Sequence, residues 1–192
     1  MKTNIAKQIV RLSVVAGIAL FTTVQSSAQN VKKAFSYEIT LNGSSNIHDW
    51  TMKSSGSGLE GTFTLDPTTK QVEGIAPLTF NLPVKNLKSD EGLLNSRAYD
   101  ALKADKNPNF TFKLNNVTAQ GAQLNLVGQL TISGNTREIT LPVTVKKNAD
   151  GSQLLSGAKK IKMSEWGVKP PSYMLGVMKV YDDLTINYTV HL

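Results

Sequence analysis

From residue 30 onward, apolar side chains recur at every second position in one segment after another, the period of strands that bury one face and show the other to water. Phe35, Tyr37, Ile39 and Leu41 share one face of a first strand, and Leu59, Phe63 and Leu65 share one face of the next, with Gly61 between them. The alternation continues through Leu78, Phe80, Leu82 and Val84, then Phe110, Phe112 and Leu114. It resumes in Leu124, Leu126, Leu130 and Ile132, with Gly128 on the same face, and in Ile139, Leu141, Val143 and Val145. Leu184, Ile186, Tyr188, Val190 and Leu192 close the chain as its clearest strand. Pro83 and Pro142 mark edges, bulges or the end of regular pairing, because proline has no N–H for a ladder.

Short connections separate these runs: Asp66-Pro67, Asn115-Asn116 leading toward Gly121, Ser133-Gly134-Asn135, and Asn148 to Gly151. Turns of that size join antiparallel neighbours. One interval breaks the pattern. From Glu91 to Ala104, Leu94, Ala98, Ala101 and Leu102 fall near one stripe at helical spacing, and Asn107-Pro108 ends the segment. The coarse map is one short helix interrupting about eight strands, which hide their apolar face in a sandwich or a closed barrel. A barrel is favoured by Gly56, Gly58, Gly61 and Gly128, where a missing side chain eases bending.

The N-terminus is of another kind. Lys2, Lys7 and Arg11 are followed by the uncharged, largely apolar run Leu12 to Val24 and by Ser26-Ser27-Ala28. This order predicts a secretory signal over residues 1–28, cleaved after Ala28, with the folded domain at 29–192 in the periplasm or secreted. The apolar run is shorter than the roughly 20 residues a spanning helix needs. Subtracting the three leader cations from 21 basic residues leaves 18 against 14 acids, a balance of +4. Such a balance is too modest for a dedicated nucleic-acid binder.

With no cysteine, thiolate catalysis, iron-sulfur ligation and Cys-containing zinc sites are excluded. Only His48 and His191 offer imidazole, so catalysis or metal binding at His48-Asp49-Trp50 is disfavoured. The chain has no Gly-x-Ser-x-Gly elbow, phosphate-binding glycine loop, dinucleotide signature or calcium loop. Asp182-Asp183 with Glu165 or Asp150 would serve a hydrolase only by converging in space.

The candidate binding residues are therefore apolar. Phe63, Phe80, Leu82, Phe110, Phe112, Leu126, Leu130, Leu141, Val143, Ile186 and Tyr188 either line a tunnel or fill a solid core, and periodicity alone favours the core. Trp50 covers the interior at one barrel end or offers its indole N–H to a head group. Arg97 either meets an anionic head group or pairs with Asp100 at i,i+3 spacing. Trp166 and Tyr173 flank Pro170-Pro171 in a stiff loop that rims an opening or caps the barrel. Lys159, Lys160 and Lys162 form either a transient contact with a membrane surface or a solvated strand face.

Three stretches carry a resemblance to a known family: Gly43 to Trp50, Ser96 to Ala104 followed by Asn107 to Phe112, and Val127 to Arg137. In order and spacing they resemble the YceI-like family of periplasmic lipid- or polyisoprenoid-binding proteins. The helical run, Asn95-Ser96-Arg97-Ala98-Tyr99, departs from the family's familiar segment and resembles a divergent branch. The resemblance implies an all-β, eight-stranded antiparallel lipocalin-like barrel whose long apolar interior holds an isoprenoid or other long-chain lipid. It turns the preference from packed core to lumen. The expected function is non-enzymatic binding, storage or transport of such a chain, without a cofactor or metal. The alternative is a structural or protein-interaction module of the cell envelope with a packed interior.

Overall fold

The structure is a computed structural model that describes residues 27–120 and 123–192. The export signal read from residues 1–28 falls almost wholly outside them. The described chain forms β1 (Gln29–Ser45), β2 (Asp49–Leu65), β3 (Val72–Ile75), β4 (Thr79–Pro83), α1 (Gly92–Ala101) and β5 (Asn109–Gln120). It continues with β6 (Gln123–Ile132), β7 (Asn135–Lys147), β8 (Gln153–Lys162), β9 (Ser172–Tyr173) and β10 (Met178–His191). All pairings between these strands are antiparallel, in the order β3-β2-β1-β10-β8-β7-β6-β5-β4, with the short β9 on β10.

The sheet curls so that its two ends meet within one stretch of chain. β3 pairs with β2, while β4, only three residues further on, pairs with β5 on the opposite side. Within the joint, the Ala76 N–H donates to Thr62 O and the Leu114 N–H donates to Leu78 O. The segment Val72 to Pro83 thus acts as one stave that changes partner halfway. Counting it once and leaving β9 aside gives the eight staves that the alternation predicted, although ten separate strands are present among the described residues. β3 pairs only with β2 and β4 only with β5, so along this stave each half leaves one edge outside the ladder and the ring of pairing is interrupted there.

Two further departures from the sequence reading have local causes. Asn115-Asn116, read as a turn, lies inside β5, where the register with β6 slips between Leu114 and Asn116. The extra residue is a bulge that increases the local twist of the wall. β2 begins ten residues before Leu59, because Trp50, Met52, Ser54 and Gly56 keep a period of two on the covered face, where a serine and a glycine in half the positions hide the apolar alternation. The slip between Phe35 and Tyr37 opposite this region accompanies Gly58, whose φ of +74° is costly for any residue with a Cβ.

Burial is uneven along the barrel axis. At the end carrying the β2–β3 and β7–β8 turns, Phe63, Leu65, Val72, Leu124, Val143, Val145 and Leu155 form a closed core. Each such side chain contributes about 1.5–3 kcal/mol through removal from water. A second cluster, Ile139, Ile161, Trp166 and Leu184, lies against the wall. Pro142 accounts for its position: β7 pairs with β8 only from Thr144 to Lys147, and upstream of the proline the two strands part. Trp166, 3% exposed, fills that seam and donates its indole N–H to Leu130 O at 2.9 Å. Asn135 Nδ2 and Arg137 Nε donate to the carbonyls of Trp166 and Glu165 and hold the wedge in place.

Candidate functional site

Above the closed core the barrel is hollow. An internal cavity of about 500 Å³ runs along the inner face, lined on β1 from Phe35 to Ser45. Ten strand residues at about 3.3 Å each, tilted by roughly 40°, give it an axial reach of about 25 Å. Many inward side chains, among them Phe80, Phe110, Phe112, Leu126, Leu130, Leu141 and Ile186, are only partly buried. They point away from bulk water, so their remaining exposure is surface of the cavity itself. A packed interior would have left them fully covered.

All fifteen residues singled out as binding candidates border this cavity, but they do so in different ways. Phe63, Leu82, Val143 and Trp166 are buried and touch it as parts of the supporting core. Phe80, Phe110, Phe112, Leu126, Leu130, Leu141 and Ile186 present open apolar surface. Trp166 belongs to the wall rather than to a rim or cap. Tyr188 lies in the wall and donates its hydroxyl to Pro142 O at 2.6 Å, and burial pushes its ionisation above the ordinary tyrosine value. Trp50 lies against Gly43, where a Cβ would collide with the indole; the glycine is what lets the ring lie flat on the wall. The Trp50 N–H is buried and finds no hydrogen-bond partner among the described residues.

The hollow ends beneath α1. Leu94, Ala98, Ala101 and Leu102 face the cavity, matching the stripe read from the sequence, and no residue of the helix is fully buried. The helix is tied down at its margins. The Tyr99 hydroxyl donates to Leu87 O at 2.8 Å, the Asn95 side chain and Ser89 exchange hydrogen bonds, and the Ser133 hydroxyl donates to Leu102 O at 2.9 Å. Lys103, at φ +52°, turns the chain out of the helix well before Asn107-Pro108.

Polar groups gather at this end only in small number. Ser45, His48, Glu91, Arg97 and Tyr173 border the opening. The Arg97 guanidinium lies 4.1 Å from the centre of the Tyr173 ring, a cation-π contact, and Nη1 approaches Met178 Sδ at 3.5 Å. It does not pair with Asp100; the ion pairs among the described residues do not include it. Burial raises the ionisation of Tyr173 while Arg97 opposes that shift. His48 directs Nδ1 to Asp49 O at 2.7 Å and serves the β1–β2 turn.

Chemically, this arrangement can hold apolar matter with one weakly polar end. Among the described residues, no three His, Cys, Asp or Glu side chains gather as metal ligands. The acids near the C-terminus have local tasks: Asp182 accepts from the Ser164 hydroxyl and N–H, Asp183 lies 3.4 Å from Lys162, and Asp150 binds Ser152. Lys160 and Lys162 are exposed on β8.

Several lining residues were not singled out in advance. Phe35, Tyr37, Ile39 and Leu41 have a clear alternating signal in β1 and differ in no visible way from the chosen faces. Met52, Met163 and Met178 gave none: Met52 and Met163 stand between polar neighbours, and Met178 follows an irregular connection before the alternation of the last strand is established.

A family model described as "YceI-like domain" matches residues 19–192. A UPF0312 protein of Pseudomonas aeruginosa (strain LESB58) is 26% identical over 170 residues, spanning 80% of this chain and 83% of the relative. Among solved structures, BcnA of Burkholderia cenocepacia is similar with a TM-score of 0.59 and 21% identity, covering 81% of this chain and 96% of its own. A polyisoprenoid binding domain from Saccharophagus degradans, implicated in plant cell wall breakdown, aligns with a TM-score of 0.55 and 12% identity over 82% and 97%. At these identities the structural matches establish the barrel fold.

Proposed function

The chain belongs to the YceI-like family, and from that premise we propose that it is a non-enzymatic carrier whose barrel holds one long apolar chain, an isoprenoid or an acyl lipid, with its polar end beneath α1. The observation that carries this reading is the hollow itself: about 500 Å³ of space bordered by phenylalanine, leucine and isoleucine side chains that retain accessible surface. Ligand pockets commonly fall between about 300 and 1,000 Å³ and are mainly apolar with a few polar groups.

Affinity follows from burial alone. At about 0.8 kcal/mol per methylene, ten buried methylenes supply about 8 kcal/mol before the cost of association is subtracted. Arg97 and Tyr173 stand where an anionic or hydroxyl head group would emerge. Leu126, Leu130, Leu141 and Ile186 would contact the chain, while Phe63 and Val143 set its depth. The similarity to a polyisoprenoid binding domain supports an isoprenoid as the first ligand to test. Residues 1–28 would direct the protein out of the cytoplasm, so that it meets its ligand in the periplasm or outside the cell.

The test begins with the full chain expressed in a bacterial host, purified from the envelope without detergent and extracted with organic solvent. Mass spectrometry of the extract is expected to find a long-chain lipid near equimolar amount, and the stripped protein is expected to take up fluorescent prenyl or acyl probes saturably. An extract free of lipid, together with no saturable uptake, would remove the basis for the carrier.

A further inference from the structure

The large apolar side chains that remain exposed on the described barrel are Ile47, Leu93, Met174, Leu175, Val177 and Tyr181, from 50% to 109% accessible. All six belong to the end where the lumen opens. Ile47 is on the β1–β2 turn, and Asn46 beside it accepts from the Lys179 N–H and donates to Val177 O, joining that turn to the segment before β10. Leu93 lies one turn before Arg97 on α1, and Arg97 covers Tyr173, next to Met174. Residues on the β1–β2 turn, the helix α1, the β9–β10 connection and the start of β10 thus form one crest around one opening. Scattered exposed leucines need no explanation, but this segregation does.

The tip of the crest is held out at a conformational cost. Met174 and Leu175 both adopt positive φ, 52° and 55°, a left-handed region that side chains with a Cβ seldom occupy once, let alone in succession. Strain of this sort persists where the surrounding structure enforces it, here Pro170-Pro171, β9 and the Asn46 clip. The result is Leu175 protruding fully into water. The Trp166–Tyr181 part of the crest carries Lys169 and Lys179 and no acid; Asp182 just beyond it is engaged by Ser164, and Glu91 is the acid that borders the opening from the α1 side. Lysines flanking protruding apolar and tyrosine side chains complement a surface that is anionic at the phosphate level and apolar beneath it.

We propose that this rim docks on a lipid bilayer, with Met174 and Leu175 inserted among the acyl chains and Lys169 and Lys179 at the phosphates. Docking there sets the opening of the lumen against the membrane, so an apolar chain moves between bilayer and barrel without crossing water. The membrane contact lies on this crest and not at the Lys159, Lys160 and Lys162 cluster, two of whose members point outward from the barrel wall. The proposal takes its purpose from the carrier reading, but its measurement does not depend on that reading.

The experiment is flotation of the purified full-length-derived protein with vesicles of phosphatidylcholine alone and of phosphatidylcholine with phosphatidylglycerol, alongside uptake of a prenyl probe added from solution without vesicles. Wild type is expected to float with the mixed vesicles. The double variant Met174→Ser/Leu175→Ser is expected to partition at least about a hundredfold less, since two side chains no longer leave water. Lys169→Gln and Lys179→Gln are each expected to lower partition about fivefold on anionic vesicles and to reduce its salt dependence. None of these residues lines the lumen, so probe uptake from solution should stay unchanged. Wild type that takes up probe yet never floats, or a double variant that floats like wild type, would overturn the docking. Flotation without any probe uptake would instead sustain the docking and remove the carrier reading.

Discussion

Replacing Ile186 with tryptophan separates a hollow barrel from a packed one in a single variant. Ile186 sits on β10 opposite Leu41 of β1, borders the cavity and keeps accessible surface there although it points inward. The indole occupies roughly three methylene volumes more than the isoleucine side chain. At about 0.8 kcal/mol each, the lost ligand contacts amount to about 2.4 kcal/mol, or about a fiftyfold rise in Kd for a chain that fills the lumen. In a hollow barrel the ring enters empty space, so thermal stability should change little. In a packed barrel the same ring overpacks the core at about 1–3 kcal/mol, which lowers Tm by several degrees in a domain of this size. Probe displacement over a series of chain lengths, paired with thermal melts, is the assay. Weaker binding of long probes with unchanged Tm is the expected pair, and short probes should be affected less. A fall in Tm with no change in binding at any length would refute the reasoning.

Tyr188→Phe should cost about 1 kcal/mol in urea unfolding by leaving Pro142 O without its donor. Because burial raises the Tyr188 ionisation, the unfolded chain loses its proton first, and wild-type stability should decline as pH rises past about 10; the variant should show a smaller decline in melts taken from pH 8 upward. Gly43→Val should force the Trp50 ring off the wall and into the lumen, reducing stability by about 1–3 kcal/mol and changing the tryptophan emission spectrum. Asp182 has its carboxyl held below the ordinary value by the Ser164 hydroxyl first and by backbone donors after it. Its contribution is therefore present above about pH 4 and lost as pH falls through the lowered value. Asp182→Asn should flatten the acid limb of Tm against pH, and an unchanged limb would show that the Ser164 contact does not contribute to folding.

Alternation made most of the wall legible, because each inward Phe, Leu or Ile in β5, β6, β7 and β10 is spaced by the pleat and by nothing else. The stripe Leu94, Ala98, Ala101 and Leu102 likewise gave the helix and its inward side. What stayed hidden depends on contacts distant in sequence. Nothing local in Val72 to Pro83 says that its halves pair with different neighbours, since both halves read as strand. Asn115-Asn116 has turn-forming letters, and only the register across β6 makes it a bulge. Whether inward side chains meet across the axis or leave space is a property of barrel diameter, to which a period of two is blind. Trp166 read as a loop ring because its partner, the gap left by β7 and β8 beyond Pro142, exists only once three strands are assembled. The exposed crest of Met174 and Leu175 depends on backbone angles that two ordinary apolar letters do not announce.

The most direct measurement is the electron density inside the barrel of protein crystallised as it comes from the bacterial envelope. A hollow carrier predicts a continuous, elongated feature between Leu126, Leu141 and Ile186, ending near Arg97 and Tyr173 under α1. Side chains in van der Waals contact across the axis at that level, with no such feature and no space to admit one, would contradict the account.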